Sequence, residues 1–286
     1  MFKKASKVRF IFISFLFFIT AVSSTAQNLS YLEEDQQAFE VKVEEIKTLD
    51  QPDMGGTVVA VGKTFAGMPY HSKTLEIHED EKLIINLRGF DCTTYVENVL
   101  AFSLMLKKEA DEFEAFGSIL TNIRYRDGDL AGYSSRLHYF SDWLYNNEIK
   151  GLVRNISCEL GGVKTKKEIS FMTSHRELYP GLGDDKSFEH LQTTEEMLSG
   201  NELCYIPKDK INAVESRIED GDIIALATSI EGLDVTHTGF AHRKADGRIY
   251  LLHASISGEV EVSDKPLAEY LAGIKNNIGI MVARPL

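Results

Sequence analysis

A single cysteine and two distant histidines are the residues of this 286-residue chain whose types and spacing could do covalent chemistry. Cys92 lies in GFDCTTYVENVL (residues 89–100), just after a polar turn made by Arg88, Gly89 and Asp91. Tyr95, Val96, Val99, Leu100, Phe102, Leu104 and Leu106 follow at the spacing of a helix with one buried face. Cys92 is therefore expected at a helix N-terminus. There the helix dipole and free N–H groups favour a thiolate, and the same amides can hold a developing oxyanion. Thr93 and Thr94 are the expected caps. A cysteine packed in the core as a small hydrophobe is the competing reading.

Cysteine-driven amide hydrolysis also needs a base and a group to orient it. His237 opens one strand-like run, and His253 closes the next. A turn at Asp246-Gly247 would pair the two runs antiparallel. Both histidines then fall near one level of the hairpin and on one side, with His253 orienting His237. His71, His78, His175 and His190 are expected in solvent, and His138 within reach of substrate. His242 has the opposite parity to His237 and should face the other side of the sheet, unless a bulge intervenes.

The elements that must position these groups are legible in outline. Helices are expected over residues 30–49, 53–66 (capped by Asp53), 92–109 and 112–123, with shorter ones at 173–179, 188–199 and 207–218. Strands are expected at 82–87, 151–158, 168–171 and 204–206, and then at 222–228, 238–243, 249–254, 259–262 and 278–283. Helices first and an antiparallel sheet last indicate an α+β fold. Residues 125–148 begin as a Gly/Asp/Ser loop and become an aromatic helix. Ser134, Ser135 and Arg136 in that loop are candidate ligand contacts. Trp143, Tyr139 and Phe140 are expected to pack the interior.

Residues 1–26 read as a secretory signal peptide. Lys3, Lys4, Lys7 and Arg9 precede an apolar stretch at residues 10–22, and Ser24-Thr25-Ala26 offers a small-residue cleavage site. No cysteine follows that stretch before Cys92, so no lipid anchor is expected, and the mature protein should be periplasmic or secreted without a stable membrane anchor. The whole chain carries −12, and loss of the four leader cations leaves 27 basic against 43 acidic residues, a net −16. Such a surface is a poor partner for nucleic acid. The three cysteines, Cys92, Cys158 and Cys204, leave one odd thiol in an oxidising compartment. Pairing of Cys158 with Cys204 would leave Cys92 free, though their contexts do not force it. No metal site or cofactor is expected, since no CxxC or close Cys/His pair occurs. Residues 27–286 should form one catalytic domain with an inserted substrate-binding lobe at about 110–220.

Taken in order, FDCTTYVENVL (90–100), DGDIIAL (220–226), HTGFAHR (237–243) and LLHAS (251–255) resemble the motif series of the NlpC-type cell-wall hydrolases. These are papain-like cysteine peptidases and amidases of bacterial peptidoglycan. The resemblance implies that core fold, with Cys92 as nucleophile, His237 as base and His253 as orienting residue. It also implies that Tyr70, upstream of the cysteine, borders the site and donates to the oxyanion or to substrate. GMPY (67–70), TTYVEN (93–98), SSRLHYFSDWL (134–144) and YIPK (205–208) resemble the N-acetylmuramoyl-L-alanine amidase branch, whose substrate is peptidoglycan or a muropeptide. Thr93-Thr94 stands where Ser-Gly is usual. The alternatives are a γ-D-glutamyl-diaminopimelate endopeptidase with the same triad, and a non-catalytic glycan-binding module built on residues 133–143.

Overall fold

The computed structural model describes residues 28–286. The leader reading of residues 1–26 lies outside the described residues. The first half of the chain makes helices because its apolar residues recur at helical spacing. A short strand, β1 (Leu29–Ser30), precedes α1 (Glu33–Ile46), which buries Phe39, Val43 and Ile46. α2 (Met54–Lys63) starts on Asp53, whose carboxylate accepts the Gly56 amide at 2.7 Å. The run at 82–87 yields only β2 (Leu83–Ile84), parallel to β1 in a separate two-stranded ribbon. α3 (Cys92–Lys107) is buried along most of its length. α4 (Phe113–Arg124) packs on it, with Phe116 and Phe102 ring centroids 4.4 Å apart. α5 (Phe140–Ile149) follows and buries Trp143, which is 2 % exposed.

The second half builds the sheet. In order come β3 (Val153–Asn155), β4 (Val163–Lys166), α6 (Phe171–Ser174), α7 (Asp185–Gly200), β5 (Glu202–Pro207) and α8 (Ile211–Val214). Then come β6 (Ile223–Thr228), β7 (Val235–Arg243), β8 (Ile249–Ala254), β9 (Val260–Val262), α9 (Leu267–Ala272) and β10 (Asn277–Pro285). The strand expected at 168–171 is not formed. Ile169 makes only a bridge to Gly232, and the chain turns into α6. β4 pairs antiparallel with β5, and Cys204 on β5 is joined to Cys158 by a disulfide.

The sheet runs β4–β5–β10–β6–β7–β8–β9, with β3 also on β10, and every pairing is antiparallel. α1 to α5 cover one side, where Ala225, Phe240 and Leu252 meet Tyr95 and Val99. α8 and α9 cover the other, where Ile224, Ala241 and Leu251 meet Ile211, Leu267 and Leu271. Neighbours such as Leu251 and Leu252 serve opposite cores, which is why these strands read as unbroken apolar runs.

The segment at 110–220 is not one lobe. α4 and α5 belong to the main core, and Ile206, Ile211 and Ile218 to the far side of the sheet. Between them lies a third, small core of Tyr133, Tyr139, Met172, Leu182, Leu191 and Leu198. Its centre is polar: the Tyr139 hydroxyl donates to Glu195 at 2.6 Å and accepts the Met172 amide at 2.9 Å. The lobe is tied to the approach of β7, because the Ser141 amide donates to Asp234 at 2.7 Å.

Candidate active site

Cys92 is the first residue of α3, but the cap is not a threonine hydroxyl. Asp91 accepts the Thr94 amide at 2.8 Å, and the Thr94 hydroxyl accepts the Asp91 amide at 3.0 Å, a reciprocal box. A carboxylate satisfies this amide and also counters the helix dipole. Burial, then the Asp91 charge, push the Cys92 thiol up, against contacts from Thr238 and Thr93 that favour the thiolate. The resting sulfur is a thiol, not the preformed thiolate that helix position alone suggests. It is half-buried rather than sealed in the core. The Cys92 carbonyl is held by the Thr238 hydroxyl at 3.0 Å, which ties α3 to β7.

The two histidines are placed by the β7–β8 hairpin. Phe240 pairs with Leu252 and Arg243 with Ile249. Continuing that register sets Gly239 opposite His253, with His237 two residues further on, a diagonal pair on one side. His237 Nε2 lies 2.6 Å from His253 Nδ1, with the rings nearly perpendicular. Gly239 keeps this geometry open, since a Cβ there would come within 2.8 Å of the His253 Cβ. A bulge adjoins the pair. Ala225 faces Thr238 while Ala227 faces Val235, so β7 carries one extra residue at 236–237. Bulges of this kind re-aim a side chain at a sheet margin. His242, on the opposite alternation, bonds Asp220 at 3.1 Å.

Cys92 and His237 line one cleft of about 90 Å³, together with Thr93, His138, Trp143, Asp234 and Thr238. Burial pushes His237 down to about 4. Burial and then the neighbouring His237 push His253 down to about 3. Both rings are therefore neutral at neutral pH. His253 is 1 % exposed, and its Nε2 has no hydrogen-bond partner among the described residues. Its ring packs across that of Tyr270 on α9, with centroids 5.6 Å apart. A larger cavity of about 590 Å³ lies elsewhere, beside Asp53, Asp220 and Arg284, and includes neither Cys92 nor the histidine pair.

The remaining expected contacts fall differently. Tyr70 pairs with Phe90 through the backbone, and burial, then the charges of Cys92 and Asp91, push its hydroxyl up to about 12. It stands near Cys92 with a hydroxyl that stays protonated. Ser134 bonds His190 at 3.3 Å. Ser135 closes its own turn, donating to the Gly132 carbonyl at 2.7 Å and accepting the Ala131 amide at 3.0 Å. Arg136 is buried against Glu76 and Glu81 and donates to the Leu75 carbonyl. These three side chains brace the lobe wall, so the structure does not leave Arg136 free to grip a carboxylate. Sequence reading passed over Thr238, Gly239, Asp234 and Tyr270. For the first two the signal was present in the His-Thr-Gly order, since the residues after a strand histidine must fit its neighbours.

A family model described as AmiA-like, N-acetylmuramoyl-L-alanine amidase-like, matches residues 60–280. The chain belongs to that family. Family membership makes it an amidase-like peptidoglycan hydrolase. An N-acetylmuramoyl-L-alanine amidase from Bacteroides uniformis is 38 % identical, with a TM-score of 0.77 over 82 % of this chain and 99 % of that one. A Bacteroides fragilis protein carrying a provisional xylanase name is 40 % identical, with a TM-score of 0.73 over 78 % and 98 %. A Legionella pneumophila protein, 21 % identical with a TM-score of 0.66 over 88 % and 95 %, shares the fold. Among curated proteins none matches this AmiA-like chain.

Proposed function

We propose that the protein is an exported cysteine amidase on a papain-like core of the NlpC type, hydrolysing the N-acetylmuramoyl-L-alanine bond of peptidoglycan fragments. The observation that carries the reading is the 2.6 Å contact between His237 Nε2 and His253 Nδ1, beside a cleft lined by both Cys92 and His237. Because Nε2 of His237 is engaged by His253, Nδ1 is the nitrogen left to take the thiol proton. That role fixes the tautomers: His237 Nε2–H donates to His253 Nδ1, and His253 keeps its hydrogen on the unpartnered Nε2.

Both partners are neutral at rest, so proton transfer accompanies attack on the lactyl carbonyl. The sulfur–carbon bond forms as the carbonyl π bond opens to an oxyanion. In this reading the Cys92 amide, at the start of α3, and the Tyr70 hydroxyl receive that charge. The His237 imidazolium then protonates the departing L-alanine nitrogen as the C–N bond breaks. Water, deprotonated by His237, cleaves the thioester and restores the thiol. The leader at residues 1–26 and the Cys158–Cys204 disulfide support export to an oxidising compartment.

A glycosidase reading would need two free carboxyl groups flanking the bond. Asp91 and Asp234 adjoin the cleft, and both are occupied by backbone amides, at Thr94 for one and at Ser141 and Val235 for the other. Mass spectrometry after digestion of a defined disaccharide muropeptide tests the proposal. Free disaccharide plus an intact stem peptide is expected. A cut between D-glutamate and diaminopimelate would replace the reading by the endopeptidase, and binding without turnover by the glycan-binding module.

A further inference from the structure

His138 stands where two cavities meet, and the steps above leave it unused. With Thr93 and Leu137 it lines both the cleft of Cys92 and an adjoining cavity of about 230 Å³. Its Nε2 lies 2.8 Å from the Tyr133 carbonyl oxygen. A carbonyl only accepts, so Nε2 carries the hydrogen and Nδ1 of the neutral ring is a bare lone pair. Burial and the nearby Arg136 charge hold the ring neutral, pushing its pKa down to about 3. The ring is clamped on Tyr133, with centroids 4.5 Å apart. Nδ1 has no partner among the described residues and is not among the polar atoms sealed from water. The neighbouring polar groups are spent: Arg136 on Glu76 and Glu81, Arg124 on Glu97 at 2.7 Å, and Asp91 on the helix cap. A fixed acceptor is thus open beside the nucleophile.

We infer that His138 Nδ1 accepts a hydrogen bond from the substrate amide N–H that follows L-alanine, one residue beyond the scissile bond. This rests on the amidase reading. The adjoining cavity bears Lys73 at its wall, with no ion-pair partner among the described residues. An open ammonium suits a stem peptide that carries carboxylates, more than a ring of hydroxyls. The leaving peptide therefore runs from Cys92 past His138 into that cavity, and its first internal amide is the donor that meets Nδ1. His138 is on this account a specificity-determining residue, which rejects a stem without that N–H by leaving its own lone pair unpaired.

The test compares a muramoyl-peptide with its depsipeptide analogue, in which an ester oxygen replaces that one N–H, for the wild type, His138→Phe and His138→Asn. The wild type should prefer the amide about ten-fold in kcat/KM, the worth of one such bond. His138→Phe should lose most of that preference, and His138→Asn, whose amide oxygen can stand near the Nδ1 position, should keep part of it. Alkylation of Cys92 by iodoacetamide at an unchanged rate would show that the variants retain the site. Undiminished discrimination by His138→Phe, or none by the wild type, overturns the inference alone. A wild type that releases no muramoyl product from either substrate overturns the amidase reading as well.

Discussion

The two walls of the cleft solve the problem of buried polar groups in opposite ways. On the hairpin wall, His237 and His253 have only each other for side-chain hydrogen bonds among the described residues, and one nitrogen of His253 is left unpaired there. On the lobe wall the charged groups are paired: Arg136 with Glu76 and Glu81 from upstream in the chain, and Arg126 with Asp142 at 2.6 Å, while the Tyr139 hydroxyl donates to Glu195. A satisfied network holds shape. An imidazole pair without a counter-charge stays neutral and ready to take a proton. Under the proposed function the first wall reacts and the second holds form, so damage to each should be read in a different observable.

The largest effect belongs to the reactive wall. Cys92→Ala should remove muropeptide turnover by at least roughly 10⁴-fold while leaving the unfolding midpoint near that of the wild type. Residual cleavage at wild-type rate would move the nucleophile elsewhere. His253→Ala should lower kcat by about 10²-fold or more, with a smaller change in KM, because His237 loses the partner that fixes its tautomer. Stopped-flow or steady-state rates on one muropeptide separate the two parameters. Arg136→Ala should show the converse pattern. It strands Glu81, whose side chain is 4 % exposed, and should cost about 4 kcal/mol in urea unfolding. Alkylation of Cys92 should proceed as before, and a loss of thiol reactivity equal to the loss of stability would erase the distinction between the walls.

The last test is the dependence on pH. His237 and His253 titrate at about 4 and about 3 when folded, below the ordinary histidine value. Between that value and those pH values the unfolded chain binds protons that the folded protein refuses. Stability therefore falls as pH drops below about 6.5, by up to about 1.4 kcal/mol per pH unit for each ring, and is regained as pH rises. Urea midpoints at pH 7 and pH 5 measure it. His138, pushed down to about 3, adds to the same slope, so a flat profile would mean that all three rings are already charged in the folded protein.

The sequence made the hairpin wall readable because strand parity is a strict rule. His237 and His253 share parity, the turn at Asp246-Gly247 sets the hairpin, and His242 has the other parity. It did not reveal that the pair is diagonal, since a shift of two residues preserves parity. Nor could it locate the extra residue at 236–237, which depends on pairing with β6. The lobe wall was read less well for a different reason. Serines and an arginine in a loop look alike whether they face a ligand or each other. Arg136 is committed through Glu76 and Glu81, far upstream in the chain, and no local pattern announces that encounter. The two cysteines of the disulfide were similarly undecided, because pairing across 46 residues is a tertiary fact.

Under the proposed mechanism, the bulge in β7 makes chain length itself part of the catalyst. A regular strand could lose a residue and slide, but here the interval from Asp234, moored to α5, to Thr238, moored to the carbonyl of Cys92, is fixed at both ends. Deleting Thr236 would keep every imidazole and thiol in the protein, yet turn the ring of His237 away from the sulfur. Spacing between two anchors, rather than the identity of any side chain between them, then decides whether the proton has somewhere to go.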